Sequence, residues 1–218
     1  MAFDDRAYNH LLAGNVFLSI FSILFTVALA PSLADSLLSE HSIVESVTAI
    51  AYLFCVAALF LKRIGNIWDR IFASLILFVF VARELELKQF FGIDAVTLSY
   101  FFDSDQSVIG RIAVLALLGA VAFGALFLCI RNWRTVFQGL VNGRAFAIGF
   151  VLGIFLLCLS QALDKLSSLS ANPHEGAGFV FSVSEEILEL AVPFIFATAI
   201  FAPRPAGEPD TFYTHASP

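Results

Sequence analysis

Apolar stretches of about 20 residues recur along this chain, and a run of that length has few ways to fold other than as a helix across a bilayer. Five are plain: 11–30, 43–61, 71–89, 109–130 and 145–163. A sixth, 179–202, is equally apolar over most of its length but opens with SVSEEILEL, which sets Glu185, Glu186 and Glu189 at the head of AVPFIFATAIF. With no water in a bilayer core to satisfy the backbone, each run must close its hydrogen bonds internally. The expected fold class is therefore all-α: a polytopic membrane bundle of six transmembrane helices over residues 1–203, followed by a tail, 204–218, that is rich in proline, poor in apolar residues and expected to be disordered.

Composition agrees. Hydrophobic residues make up 59% and charged residues 14%, against about half and about a quarter in a soluble domain. The first run ends in ALA, which imitates a signal-peptidase site, but Asp4 and Asp5 stand beside Arg6 in the leader and Pro31 would follow the cut, so it reads as an uncleaved first helix. Cys55, Cys129 and Cys158 all fall inside apolar runs without CxxC spacing, and read as small core residues.

Six spans return the C-terminus to the side of the N-terminus. That side collects Arg6, Lys62, Arg63, Arg70, Arg131, Arg134, Arg144 and Arg204 out of 12 basic residues, which makes it cytoplasmic by the positive-inside rule and the membrane a bacterial inner (plasma) membrane. Most of the 18 acidic residues lie on the opposite side, and the net charge is −6, which argues against a nucleic-acid partner. The partners expected instead are the lipid bilayer, a cation or small-molecule ligand, and a membrane-protein partner or second copy of the chain. Between the third and fourth runs, KQFFGIDAVTLSYFFDSDQSV mixes aromatics with acids and is expected to lie in the interface. Gly149 and Gly153 form a GxxxG, and Ala120 with Gly124 a small-xxx-small pair, spacings that let a neighbouring helix approach closely.

The non-cytoplasmic end concentrates the polar chemistry. Glu185, Glu186 and Glu189 share a wide sector of the sixth helix, with Glu189 about two turns below the surface. Pro193 leaves the Glu189 carbonyl without its usual helical donor. On the second helix, His41, Glu45, Thr48 and Tyr52 are spaced by four, three and four, a stripe running inward along one face. The third helix ends with Arg83, Glu84 and Glu86; Arg83 is spaced to pair with Glu86 along the helix, or else reaches a glutamate on helix two or six. The fifth closes with SQALDK, bringing Ser160, Gln161 and Asp164 to the same end.

Ionisable groups at membrane depth usually face one another or a hydrated cavity. Carboxylates this concentrated cannot all remain ionised without a cation or Arg83 to offset them. The structural alternatives are equally concrete: Glu185 and Glu186 suit the positive end of a helix dipole, and Arg83 with Glu86 can be a simple intrahelical pair. Three functions fit. The first is an acidic intramembrane pocket that binds a proton or cation in a transport-related role. The second is a metal-dependent membrane enzyme, hydrolase or oxidoreductase, with His41, Glu45 and Glu189 as ligands of a divalent metal ion. The third is a structural or assembly subunit. Neither the EExxxR and FxxxH pair of CAAX-type intramembrane proteases nor the ExxH pairs of membrane di-iron enzymes occurs, and histidines number only 4.

Overall fold

The computed structural model describes residues 5–29, 43–85, 108–169 and 176–203. Among them are six helices and no strand: α1 (Asp5–Leu29), α2 (Ile43–Leu61), α3 (Ile67–Glu84), α4 (Val108–Val141), α5 (Ala145–Leu169) and α6 (Gly176–Phe201). His41, Glu86, the aromatic connection between α3 and α4 and the tail 204–218 lie outside the described residues.

Helix ends differ from the hydropathy pattern where local chemistry outweighs it. The third helix begins at Ile67 because Asn66 caps it: the Asn66 side chain accepts from the Asp69 amide at 2.8 Å, and the Asp69 carboxylate accepts from the Asn66 amide at 2.9 Å. That reciprocal capping box satisfies two donors that would otherwise be orphaned. At α4 the helix does not stop at Ile130 but runs through RNWRTVFQGLV for 34 residues, about 51 Å at 1.5 Å per residue and well beyond a hydrocarbon core of about 30 Å. Nothing in that stretch breaks a helix until Gly143, which takes the left-handed conformation at φ 66°.

The sixth helix is the hub. It packs most extensively on α5 and also on α1 and α2, while α3 packs on α2 and α4. The core gathers Leu12 from α1, Tyr52, Cys55 and Leu59 from α2, Leu77 and Val81 from α3, Leu156 from α5, and Leu188, Val192 and Ile195 from α6. Close approach depends on the glycines of α5. A methyl at Gly149 would sit 2.9 Å from the Ala199 side chain and 3.1 Å from that of Leu12, and one at Gly153 would strike the Phe196 ring. At Gly124 the close neighbour is Phe72 of α3, whereas Ala120 is exposed. Only one cysteine belongs to the core: Cys55 is buried, whereas Cys129 and Cys158 lie on the outer surface, where lipid accepts a small apolar side chain as readily as a core does.

Four helices, α1, α2, α4 and α5, are long and apolar enough to cross a membrane. The other two carry more charge than such a span: Asp69, Arg70, Arg83 and Glu84 on α3, and three glutamates on α6. At the end holding the α4–α5 turn, two ion pairs tie helices together. Asp5 engages Arg144 at 2.8 Å and caps the Ala145 amide at 3.3 Å, and Asp69 meets Arg131 at 3.3 Å.

Candidate functional site

Helical spacing on α6 presents Glu185 and Glu189 one turn apart, with Pro193 one turn further in. Glu189 is buried, at 7% exposure. Its Oε1 accepts from Arg83 Nη2 of α3, from Gln161 Nε2 of α5 at 3.1 Å, and from Ser160 Oγ at 3.5 Å. The Ser160 hydroxyl also points at the Leu157 carbonyl, 3.0 Å away. Arg83 Nη2 lies 3.9 Å from Glu185 Oε1 as well, so a single guanidinium serves two carboxylates on successive turns of α6. Its length matters, because α2 packs against both α3 and α6 and the long arginine stem bridges what the backbones do not.

One face of α2 forms the floor. The Cys55 thiol donates to the Pro193 carbonyl at 3.2 Å, and the Tyr52 ring packs on Phe80 of α3 with centroids 5.4 Å apart. One to two turns toward the acidic end, the same register sets Thr48 level with Glu84 on α3 and Glu186 on α6, with Glu45 a turn beyond. The charges of Glu84 and Glu186 fall within range of each other and each within range of Glu45 and Glu189. Thr48 is fully buried, and its Oγ1 has no hydrogen-bond partner among the described residues.

The structure thus brings together Glu45, Thr48, Tyr52, Arg83, Glu84, Gln161, Asp164, Glu185, Glu186 and Glu189 at one end of the bundle. Of the two pairings open to Arg83, the described one is across the bundle to α6. Asp164 contacts Lys165 at 3.7 Å and lies within range of the Glu185 charge. His41 and Glu86 cannot be placed with them, since both lie outside the described residues. Among the described residues, no three His, Cys, Asp or Glu side chains are grouped as metal ligands. Two open apolar grooves lie elsewhere, one between α1 and α5 and one bounded by α1, α2 and α6.

Sequence spacing did not single out the 2.6 Å hydrogen bond between Ser167 and Ser182, nor the contact of Cys55 with Pro193. The first could have been found by pairing α5 with α6 as antiparallel neighbours and reading both helices for polar residues at matching steps. No protein-family model, curated protein or solved structure matches the chain. What the fold and the site define is an all-helical protein among the described residues, four of whose helices are long and apolar enough to cross a membrane, with a half-buried arginine–glutamate contact between α3 and α6.

Proposed function

We propose that the chain is a six-span inner-membrane protein with both termini on the cytoplasmic side, and that its carboxylate cluster binds a proton or small cation in a transport-related role. One observation supports this reading most: among the described residues, the Arg83 guanidinium engages both Glu185 and Glu189, while the charges of Glu84 and Glu186 lie close to the same two carboxylates. In a region of low dielectric, uncompensated negative charge is expensive, and a proton or a cation offsets it most directly. The donor set is oxygen, which suits protons and hard cations better than soft metals. Glu189 is the natural centre, since α3, α5 and α6 all contribute polar groups to it.

The test is flux in sealed liposomes. Purified protein is reconstituted with a pH-sensitive dye inside, and proton, sodium, potassium or magnesium gradients are imposed in turn. Wild type is expected to dissipate one of them and Glu189→Gln to lose at least about tenfold of that rate, as expected for loss of about 1.4 kcal/mol of barrier lowering. Folded wild-type protein that moves none of these ions would sink the reading.

A further inference from the structure

The α5–α6 contact, the most extensive in the molecule, is polar over one half of its length and apolar over the other. Ser160 faces Glu189 at 3.5 Å, and Ser167 faces Ser182 at 2.6 Å. Between them, Asp164 and Glu185 fall on the same register: four residues up α5 from Ser160 match four residues down α6 from Glu189, and three more on each reach the serine pair. The Asp164 and Glu185 charges lie within range of each other. In an antiparallel helix pair, steps of three and four keep each residue on the shared seam. Three consecutive rungs are therefore polar: the serines are the small, hydrogen-bonding residues common at such contacts, whereas Asp164, Glu185 and Glu189 are the carboxylates that are rare there.

Beyond Glu189 the same register continues with Leu156 opposite Pro193 and Gly153 opposite Phe196. Leu156 is 6% exposed, Pro193 is fully buried, and Phe196 packs tightly against Gly153. The polar track thus leads from the α5–α6 connection inward and ends at Glu189 against an apolar plug. Ser160, Ser167 and Glu189 are buried, whereas Ser182, Asp164 and Glu185 are half-buried, so the track grades from partly solvated groups to a buried carboxylate, where polar atoms are costly unless hydrogen-bonded.

We propose that Ser167, Ser182, Asp164 and Glu185 form a one-sided half-channel that carries protons between Glu189 and the aqueous phase at the α5–α6 connection. This rests on the reading of the cluster as a proton or cation site and names its occupant as the proton. Each serine oxygen takes up one proton and passes its own hydrogen on, so only O–H bonds form and break, and the carboxylate at the end of the track is neutral when loaded. The charged groups facing the track are Arg83 and Glu84 from α3, Lys165 on α5 and Glu186 beside it on α6. Arg83, which touches both Glu185 and Glu189, holds the two carboxylates on successive turns in register.

The experiment is a pH jump on protein in lipid nanodiscs, followed through the infrared carbonyl band of protonated carboxyl groups. The part of the band lost in Glu189→Gln reports the inner end of the track; should that variant not fold, the part lost in Glu185→Gln reports its middle rung. Ser182→Val, which removes the hydroxyl and matches in shape the threonine that serves as its control, is expected to slow that part by about tenfold, the factor that corresponds to one lost hydrogen bond in the barrier. Ser182→Thr, which restores the hydroxyl, is expected to return it to within about twofold of wild type. Asp164→Asn should slow it as the valine does. Equal rates in wild type, Ser182→Val and Ser182→Thr would overturn the half-channel, as would a band that neither glutamine variant diminishes. Flux lost with these kinetics intact strikes only at the transport reading, and flux retained with unaltered kinetics in Ser182→Val strikes only at the half-channel.

Discussion

Gln161 Nε2 stands 3.1 Å from Glu189 Oε1, the same oxygen that Arg83 engages from the other side of the bundle. Glu189 is buried while the Arg83 side chain is 37% exposed, so the carboxylate is the more dependent partner. Removing one member of a fully buried pair costs about 3–5 kcal/mol, because the other charge is left uncompensated. With Arg83 partly solvated, Arg83→Gln is expected to cost less, about 2 kcal/mol. The double variant Arg83→Gln/Glu189→Gln should recover most of that loss. Unfolding of the single and double variants in mixed micelles gives the coupling, and simple additivity of the two substitutions would show that the contact does not bear on stability.

Thr48 makes an unusual prediction because its hydroxyl is buried and unpartnered among the described residues. A buried hydroxyl without a hydrogen bond carries a desolvation penalty of about 1–3 kcal/mol. Thr48→Val preserves the branched shape, so it is expected to stabilise the fold by about 1 kcal/mol. The same variant should weaken ion or proton binding if the hydroxyl faces the occupant of the Glu45, Glu84 and Glu186 lobe. Thermal unfolding reads the first effect, and a destabilised variant would mean that the hydroxyl is bonded in the folded protein.

Two glycines in helices should respond in opposite directions. Around Gly149 a new methyl would lie 2.9 Å from Ala199 and 3.1 Å from Leu12, whereas around Gly119 nothing lies within 4 Å. Overpacking costs about 1–3 kcal/mol, and alanine gains about 1 kcal/mol over glycine in a helix. Gly149→Ala is therefore expected to be destabilised by about 1 kcal/mol and Gly119→Ala to be neutral or slightly more stable. Parallel unfolding curves decide it; equal shifts would show that α1, α5 and α6 are less tightly packed than described.

The legibility of this fold follows from how each feature is encoded. Apolar run length marks where helices are, and all six runs correspond to helices, because a lipid environment leaves little other choice. Helix ends were less legible: Asn66 with Asp69 extends α3 by a capping box that hydropathy does not register, and RNWRTVFQGLV stays helical although its charges make it read as a loop. At the site, depth and periodicity pointed to Glu189, and one of two possible partners of Arg83 proved to be the described one. Spacing within a single helix could not reveal the Ser167–Ser182 rung, since it depends on the register between α5 and α6. Nor could it show that Cys55, alone among the cysteines, is enclosed, because burial depends on which face a neighbouring helix covers.

The charges on α3 and α6 make their placement the most informative topological question. If both helices cross the bilayer, the turns at Gly65 and Gly143 and the chain beyond Phe201 share one side, while the connections after α3 and after α5 face the other. Charged residues near a span centre cost about 2.5–3.5 kcal/mol each in an isolated helix, a cost that the Arg83–Glu189 contact and the capped Asp69 offset by satisfying those groups within the bundle. Single cysteines introduced at positions 65, 143 and 206 in a background free of Cys55, Cys129 and Cys158 should therefore react with a membrane-impermeant thiol reagent only after the cytoplasmic side is opened. Cysteines at 95 and 172 should react in intact cells. Labelling of position 206 from the outside while position 65 stays protected would place an odd number of crossings between them and move either α3 or α6 out of the spanning set.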